Sequence, residues 1–176
     1  ILANLKGDVK EYTLEELQQL KLASSNETIP TFAEVLDTVA GKVPLIIEYK
    51  LDRAQTKVCE LGNELLTAYT KKYNANYCIE SFHPLAVLWY KKNRPDIIRG
   101  QLSENYLKKP QSKLPLPLKF ALAFHLENFL CRPDFIAYDF PTRKVLSNTL
   151  CRKLWGVEAV AWTLRTSEDH ETALKE

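Results

Sequence analysis

A carboxylate and an ammonium group two residues apart, Glu48 and Lys50, close the run Pro44-Leu45-Ile46-Ile47-Glu48-Tyr49-Lys50. The run has the composition of a strand buried on both faces. Side chains at i and i+2 of a strand share a face, so Glu48 and Lys50 would leave the strand's C-terminal end together. Parallel α/β folds hold their chemistry at that end. An acid there suits a hard divalent cation, and a lysine suits a phosphate or another anion. The same E-x-K step also fits an ordinary strand-end ion pair, so the rest of the chain has to decide between them.

Other strand ends add candidates. Ser81 and Phe82, Gly100 through Leu102, Tyr138 and Asp139, and Trp162 and Thr163 each follow or close an apolar run. Together with Glu48 and Lys50 they would make an anion-and-metal site with an apolar wall. Each has a plainer use: Phe82 and Trp162 as caps of the core, Ser81 as a helix cap, Asp139 as a turn residue. His83, His125 and His170 form no H-x-x-x-H or H-x-x-E-H arrangement. Cys59, Cys78, Cys131 and Cys151 lack metal-type spacing and sit in apolar patterns, which reads as reduced packing residues in a cytoplasmic setting.

The elements that must position these residues alternate. Thr13-x-x-Glu16 and Thr31-x-x-Glu34 are capping boxes. The second opens a helix with Phe32, Val35, Leu36 and Val39 inward, stopped at Gly41. Strand 44–48 follows, then a helix with Ala54, Val58, Leu61, Leu65 and Ala68 on one face. Strand 77–81 leads to a helix opened by Pro84, with Leu85, Leu88 and Trp89 inward and Pro95 beyond it. Strand 96–100 comes next, then a proline-bearing connection over 102–118 and an apolar helix over 118–130. Strand 134–138, a helix over 147–154, strand 157–162 and a final helix capped by Thr166 or Ser167 complete the order.

Alternating strands and helices imply parallel pairing with right-handed crossovers. Five such units fit an open doubly wound sheet or part of an eight-stranded (β/α)8 barrel, the TIM fold. No strand is followed by G-x-G-x-x-G or G-x-x-x-x-G-K, which speaks against the nucleotide-binding sheets. A barrel takes about 250 residues, so the 176 present would supply its later five strand-helix units. The start at Ile1, without an initiator methionine, and an unfinished final helix lead us to expect one domain over 1–176, incomplete at both ends.

Composition sets limits. The chain is 45% hydrophobic and 26% charged, as a globular protein is, and its net charge of +2 gives no case for nucleic acid. No apolar run reaches the roughly 20 residues that cross a bilayer. Oligomeric state leaves no mark in these residues.

In this order the motifs resemble the glycerophosphodiester phosphodiesterase family, phosphoric diester hydrolases with a TIM-barrel fold. The matching pieces are Thr13-Leu14-Glu15-Glu16-Leu17, Ile29-Pro30-Thr31-Phe32-Ala33-Glu34-Val35-Leu36, Leu45 to Lys50, Ser81-Phe82-His83-Pro84, the Pro95 to Leu102 segment and Ala161-Trp162-Thr163-Leu164. The resemblance implies metal-dependent hydrolysis of glycerophosphodiesters to an alcohol and glycerol phosphate, a step of lipid and glycerol metabolism. It makes Glu48 a ligand of Mg²⁺ or Ca²⁺ and Lys50 the catalytic contact to phosphate. It makes Ser81, Phe82 and Trp162 substrate-binding residues for a small phosphodiester. Tyr49 replaces the family's usual aliphatic residue and should point away from the site. The family's H-R-G, E-x-D and H-D elements, with its two catalytic histidines, have no match here, so this segment alone is expected to be inactive. A related phospholipase D-like lipid phosphodiesterase and a non-catalytic barrel fragment or binding module are the alternative readings.

Overall fold

The computed structural model describes residues 7–22, 25–51, 55–103, 128–143, 152–153 and 156–175. They fall into two compact units, Ile1–Val43 with Thr67–Ala75, and Pro44–Leu66 with Asn76–Glu176.

In the first unit, a short 3-10 turn (Val9–Glu11) precedes helices α1 (Leu14–Gln19) and α2 (Phe32–Val39). Both capping boxes form. Thr31 Oγ1 accepts the Glu34 N–H at 3.2 Å, and the Glu34 carboxylate accepts the Thr31 N–H at 2.6 Å. The Thr31 N–H, and then the Thr31 hydroxyl donating to the same carboxylate at 2.8 Å, hold the Glu34 carboxyl below its ordinary pKa. Leu36 is the buried residue of α2, whereas Val35 is exposed. Helix α2 ends as Ala40 turns left-handed (φ 49°) and Gly41 follows (φ 74°). A Cβ on Gly41 would come within 2.9 Å of Tyr73 Cβ, and its N–H donates to Tyr69 Oη at 2.9 Å. Asp37 accepts from Lys72 Nζ and Tyr73 Oη, both at 2.9 Å.

The second unit is built on a five-stranded, all-parallel sheet in sequence order: β1 (Leu45–Glu48), β2 (Tyr77–Ser81), β3 (Arg99–Ser103), β4 (Phe135–Asp139) and β5 (Glu158–Trp162). Strands parallel and in sequence order need a crossover between each pair. The described crossover helices are α3 (Lys57–Tyr73, whose last residues belong to the first unit), α4 (Pro84–Asn93) and α5 (Asn128–Cys131). Helix α6 (Ser167–Lys175) follows β5, its start capped by Thr166 Oγ1 accepting the Asp169 N–H at 3.1 Å.

Several sequence expectations are corrected. Strand β1 is covered on one face only: Ile46 is 67% exposed, because that face lacks a covering layer at this strand among the described residues. In α3 the buried side is Cys59, Gly62, Leu66 and Tyr69, one position on from the expected stripe. Val58, Leu61 and Leu65 are exposed. Both stripes have helical spacing; Gly62 decides between them, since a Cβ there would meet the Tyr49 ring. In α4 the buried residues are Ala86, Val87 and Tyr90, not Leu85, Leu88 and Trp89. Tyr90 turns inward because its hydroxyl meets Tyr49 Oη at 2.8 Å. Strand β3 starts three residues later than expected. The guanidinium of Arg94 holds Asp96 (2.8 Å) and Asn63 (2.7 Å), and the Ile97 N–H closes a turn onto Arg94 O, so 94–97 stay out of the ladder. The expected helices over 118–130 and 147–154, the connection over 102–118, Ala54, His125 and Cys151 lie wholly or largely outside the described residues.

Candidate active site at the C-terminal edge of the sheet

All five strands run the same way, so their C-terminal ends share one edge. Register then sorts the side chains. The pairs Glu48↔Glu80, Glu80↔Gly100, Gly100↔Phe135 and Phe135↔Glu158 place these residues on one face. Alternation puts Ile46, Cys78, Leu102, Ala137, Asp139 and Trp162 there too. Leu102, Phe135 and Ala137 form a buried cluster against which Cys78, Phe82 and Trp162 pack, which gives this face an apolar floor. Gly100 makes that floor possible: a Cβ at this position would run into the Phe135 ring.

Above the floor sit the polar groups. Glu48 Oε2 and Lys50 Nζ lie 3.4 Å apart, the lysine side chain 80% exposed and the glutamate side chain 31%. Glu80, in register with Glu48 on the neighbouring strand, is half-buried; burial first, and the Glu48 charge second, push its carboxyl pKa up. Phe82 and Trp162 meet edge to face, ring centroids 5.8 Å apart at 88°. Trp162 Nε1 is buried without a hydrogen-bond partner among the described residues.

The structure thus brings Glu48, Lys50, Phe82 and Trp162 to one edge and one face. It puts Ser81 on the other face: fully buried, its hydroxyl donating to Tyr49 O at 2.6 Å and accepting the His83 N–H at 3.0 Å. Tyr138 shares that far face through its register with Ser103, and Thr163 lies past the end of β5. Gly100 sits near the start of β3, below the edge where we expected it. Tyr49 does point away, into a buried tilted pair with Tyr90 at 5.5 Å, where burial pushes its pKa up to about 12. His83 serves as the N-cap of α4, Nδ1 accepting the Leu85 N–H at 3.3 Å, and burial lowers its pKa. Glu80 is the residue that sequence reasoning missed. Strand alternation from Phe82 was the signal available: it selects Glu80 and rejects Ser81.

The family model for the glycerophosphoryl diester phosphodiesterases matches residues 2–175. The chain belongs to this family. YhdW of Bacillus subtilis (strain 168), a glycerophosphodiester phosphodiesterase by name, is 32% identical over 119 residues, 60% of this chain and 48% of YhdW. The structure of an Oleispira antarctica phosphodiesterase in complex with the product sn-glycerol-3-phosphate superposes with a TM-score of 0.68 at 18% identity, over 96% of this chain and 65% of that one. A glycerophosphodiester phosphodiesterase from Parabacteroides distasonis ATCC 8503 gives 0.67 at 16% identity, over 93% and 63%. The chain therefore spans about half the length of the curated relative and under two thirds of the solved ones. At these identities the structures speak to fold, and the five parallel strands are part of the family's (β/α)8 barrel. Among the described residues no helix is long and apolar enough to cross a membrane.

Proposed function

We propose that this chain forms one side of the active site of a metal-dependent glycerophosphodiester phosphodiesterase, which splits a glycerophosphodiester into an alcohol and glycerol phosphate. The position of Glu48 and Lys50 carries the reading: side by side at the C-terminal edge, on the face that also bears Phe82 and Trp162. The relative described with sn-glycerol-3-phosphate bound supports this class of ligand.

Mg²⁺ or Ca²⁺ is the cation we assign. Hard cations take six or more oxygen ligands. Glu48 with Glu80 beside it suits part of such a shell, and no group of three or more ligating side chains occurs among the described residues. The remaining ligands then belong to residues outside the described ones, such as an E-x-D element of the family would supply. When bound, the cation draws charge from the phosphoryl oxygens. Lys50 is exposed, and its ion pair with Glu48 is worth little in water. Its ammonium is therefore free to turn to a phosphate oxygen and to stabilise the charge that develops there. Phe82 and Trp162 wall the site against water on the side of the glycerol or the departing alcohol. His83 is committed to capping α4, so proton transfer falls to histidines of the H-R-G and H-D elements, outside these residues. The free thiols Cys59 and Cys78 suit a reducing, cytoplasmic setting, and hydrolysis of glycerophosphodiesters is a step of lipid metabolism.

The test is Glu48→Ala in the full-length protein, assayed on glycerophosphocholine with Mg²⁺ or Ca²⁺: turnover is abolished. A variant that stays active at every cation concentration removes the ligand assignment. The 176-residue chain alone binds the cation weakly and hydrolyses no diester. Robust metal-dependent choline release by that chain would overturn the division of the site.

A further inference from the structure

We propose that Ser81 and Gln101 are positioning residues, a buried relay on the far face of the sheet that sets the backbone from which Lys50 and Phe82 depart. The proposal rests on the reading of Lys50 and Phe82 as site residues. Ser81 is 0% and Gln101 1% exposed, and buried polar groups are costly unless bonded. Both spend their bonds on backbone groups at the strand ends.

The ladders stop short of the site. The β1–β2 register ends at Glu48↔Glu80, with one further bond from the Tyr49 N–H to Glu80 O at 2.8 Å, and β2–β3 ends at Ser81↔Gln101. Beyond them the relay takes over. The Ser81 hydroxyl donates to Tyr49 O at 2.6 Å. That carbonyl shares a rigid peptide plane with the Lys50 nitrogen, so the bond orients the plane that launches Lys50. The same hydroxyl accepts the His83 N–H at 3.0 Å, while Gln101 Nε2 donates to Phe82 O at 3.2 Å. These two groups belong to one peptide, Phe82–His83, which is gripped from both sides. Gln101 Nε2 also lies 3.0 Å from Ser81 O, in the peptide before Phe82, and 3.1 Å from Leu102 O, so its two N–H groups are shared among three carbonyls, while its Oε1 is buried without a partner among the described residues. Both planes flanking Phe82 are thereby fixed. The chemistry is demanding: at 81 only a hydroxyl both donates and accepts in so small a space, and at 101 a neutral side chain must offer an NH₂.

The experiment compares Ser81→Ala, the near-isosteric Gln101→Met and the control Tyr90→Phe in the full-length protein. Tyr90 also makes a buried hydrogen bond on the far face, but to the Tyr49 ring and not to the site's backbone. Ser81→Ala lowers kcat about 10–100-fold through Lys50, as loss of supporting hydrogen bonds and small misplacements do. Gln101→Met chiefly raises KM through Phe82, about tenfold on the same grounds. Tyr90→Phe keeps both constants within about twofold. Amide exchange at Lys50 and Phe82 is read in parallel and quickens in the two relay variants only. If the parent hydrolyses no glycerophosphodiester, the functional reading fails and the exchange data alone decide the relay. Folded Ser81→Ala and Gln101→Met proteins with parental constants, or exchange no faster than in Tyr90→Phe, overturn it. Should Ser81→Ala not fold, Gln101→Met carries both readouts.

Discussion

The two faces of one sheet divide the work of this protein. One face ends in Glu48, Lys50, Glu80, Phe82 and Trp162 over a floor of Leu102, Phe135 and Ala137. The other carries Tyr49, Ile79, Ser81 and Gln101, all out of water, with the three polar side chains bonded to a ring hydroxyl or to backbone. Charged groups that must meet a ligand stay partly solvated, where an unpaired charge is cheap. Polar groups that only hold backbone are buried, where an unbroken bond is strongly enforced. The difference teaches that polar character near a site is no guide to contact with substrate: Ser81 is polar and on the wrong face for it.

Matched substitutions break or sharpen this contrast. Ile79→Ala, on the packed face, removes a fully buried side chain and lowers unfolding free energy by about 2–5 kcal/mol. Ile46→Ala, one strand away on the open face, changes it by no more than about 0.5 kcal/mol, since the side chain is already 67% exposed. Urea denaturation of the chain measures both; equal losses would erase the distinction between the faces. Gly100→Ala forces a methyl group into the Phe135 ring and costs about 1–3 kcal/mol as an overpacking change, read by the same melt.

Smaller effects separate carboxylates by pH. Burial and the Glu48 charge raise the folded pKa of Glu80. The folded state then binds the proton more tightly than the unfolded one, so stability falls as pH rises from about 4.5 through that raised value. Glu80→Gln flattens this limb. Asp37, in the other unit, has its pKa lowered by the hydrogen bond from Lys72, then by that from Tyr73. Its contribution is present above about 3.8 and is lost as pH falls through the lowered value. Asp37→Asn removes that opposite slope, by the smallest amount of the set, because the group is exposed and screened. Urea midpoints between pH 3 and 7 check both signs, and slopes of one sign for the two residues would contradict the assignment.

Much of the fold was legible because it is local. Thr13 and Thr31 cap helices through bonds that span three residues, and Pro84 opens α4 at its first turn. The E-x-K spacing put Glu48 and Lys50 on one side of a strand by geometry alone. The phase of α3 was not legible, since two stripes of suitable residues lie one position apart and only the Tyr49 ring, filling the space at Gly62, selects one. The start of β3 was hidden for a similar reason: Ile97-Ile98 reads as strand until Arg94 ties down Asp96 and Asn63.

By itself the sequence determined the alternating elements, the parallel class, the family and the acid–lysine pair, all of which follow from spacing and from ordered motifs within the chain. Tertiary structure decided which neighbour of that pair joins it. Register sets Glu80 beside Glu48 and leaves Ser81 on the far face, where its hydroxyl ties down the Tyr49 carbonyl. The physical reason is that a strand's two faces are equivalent in its own residues. Only the layer that packs against one of them says which side meets the ligand.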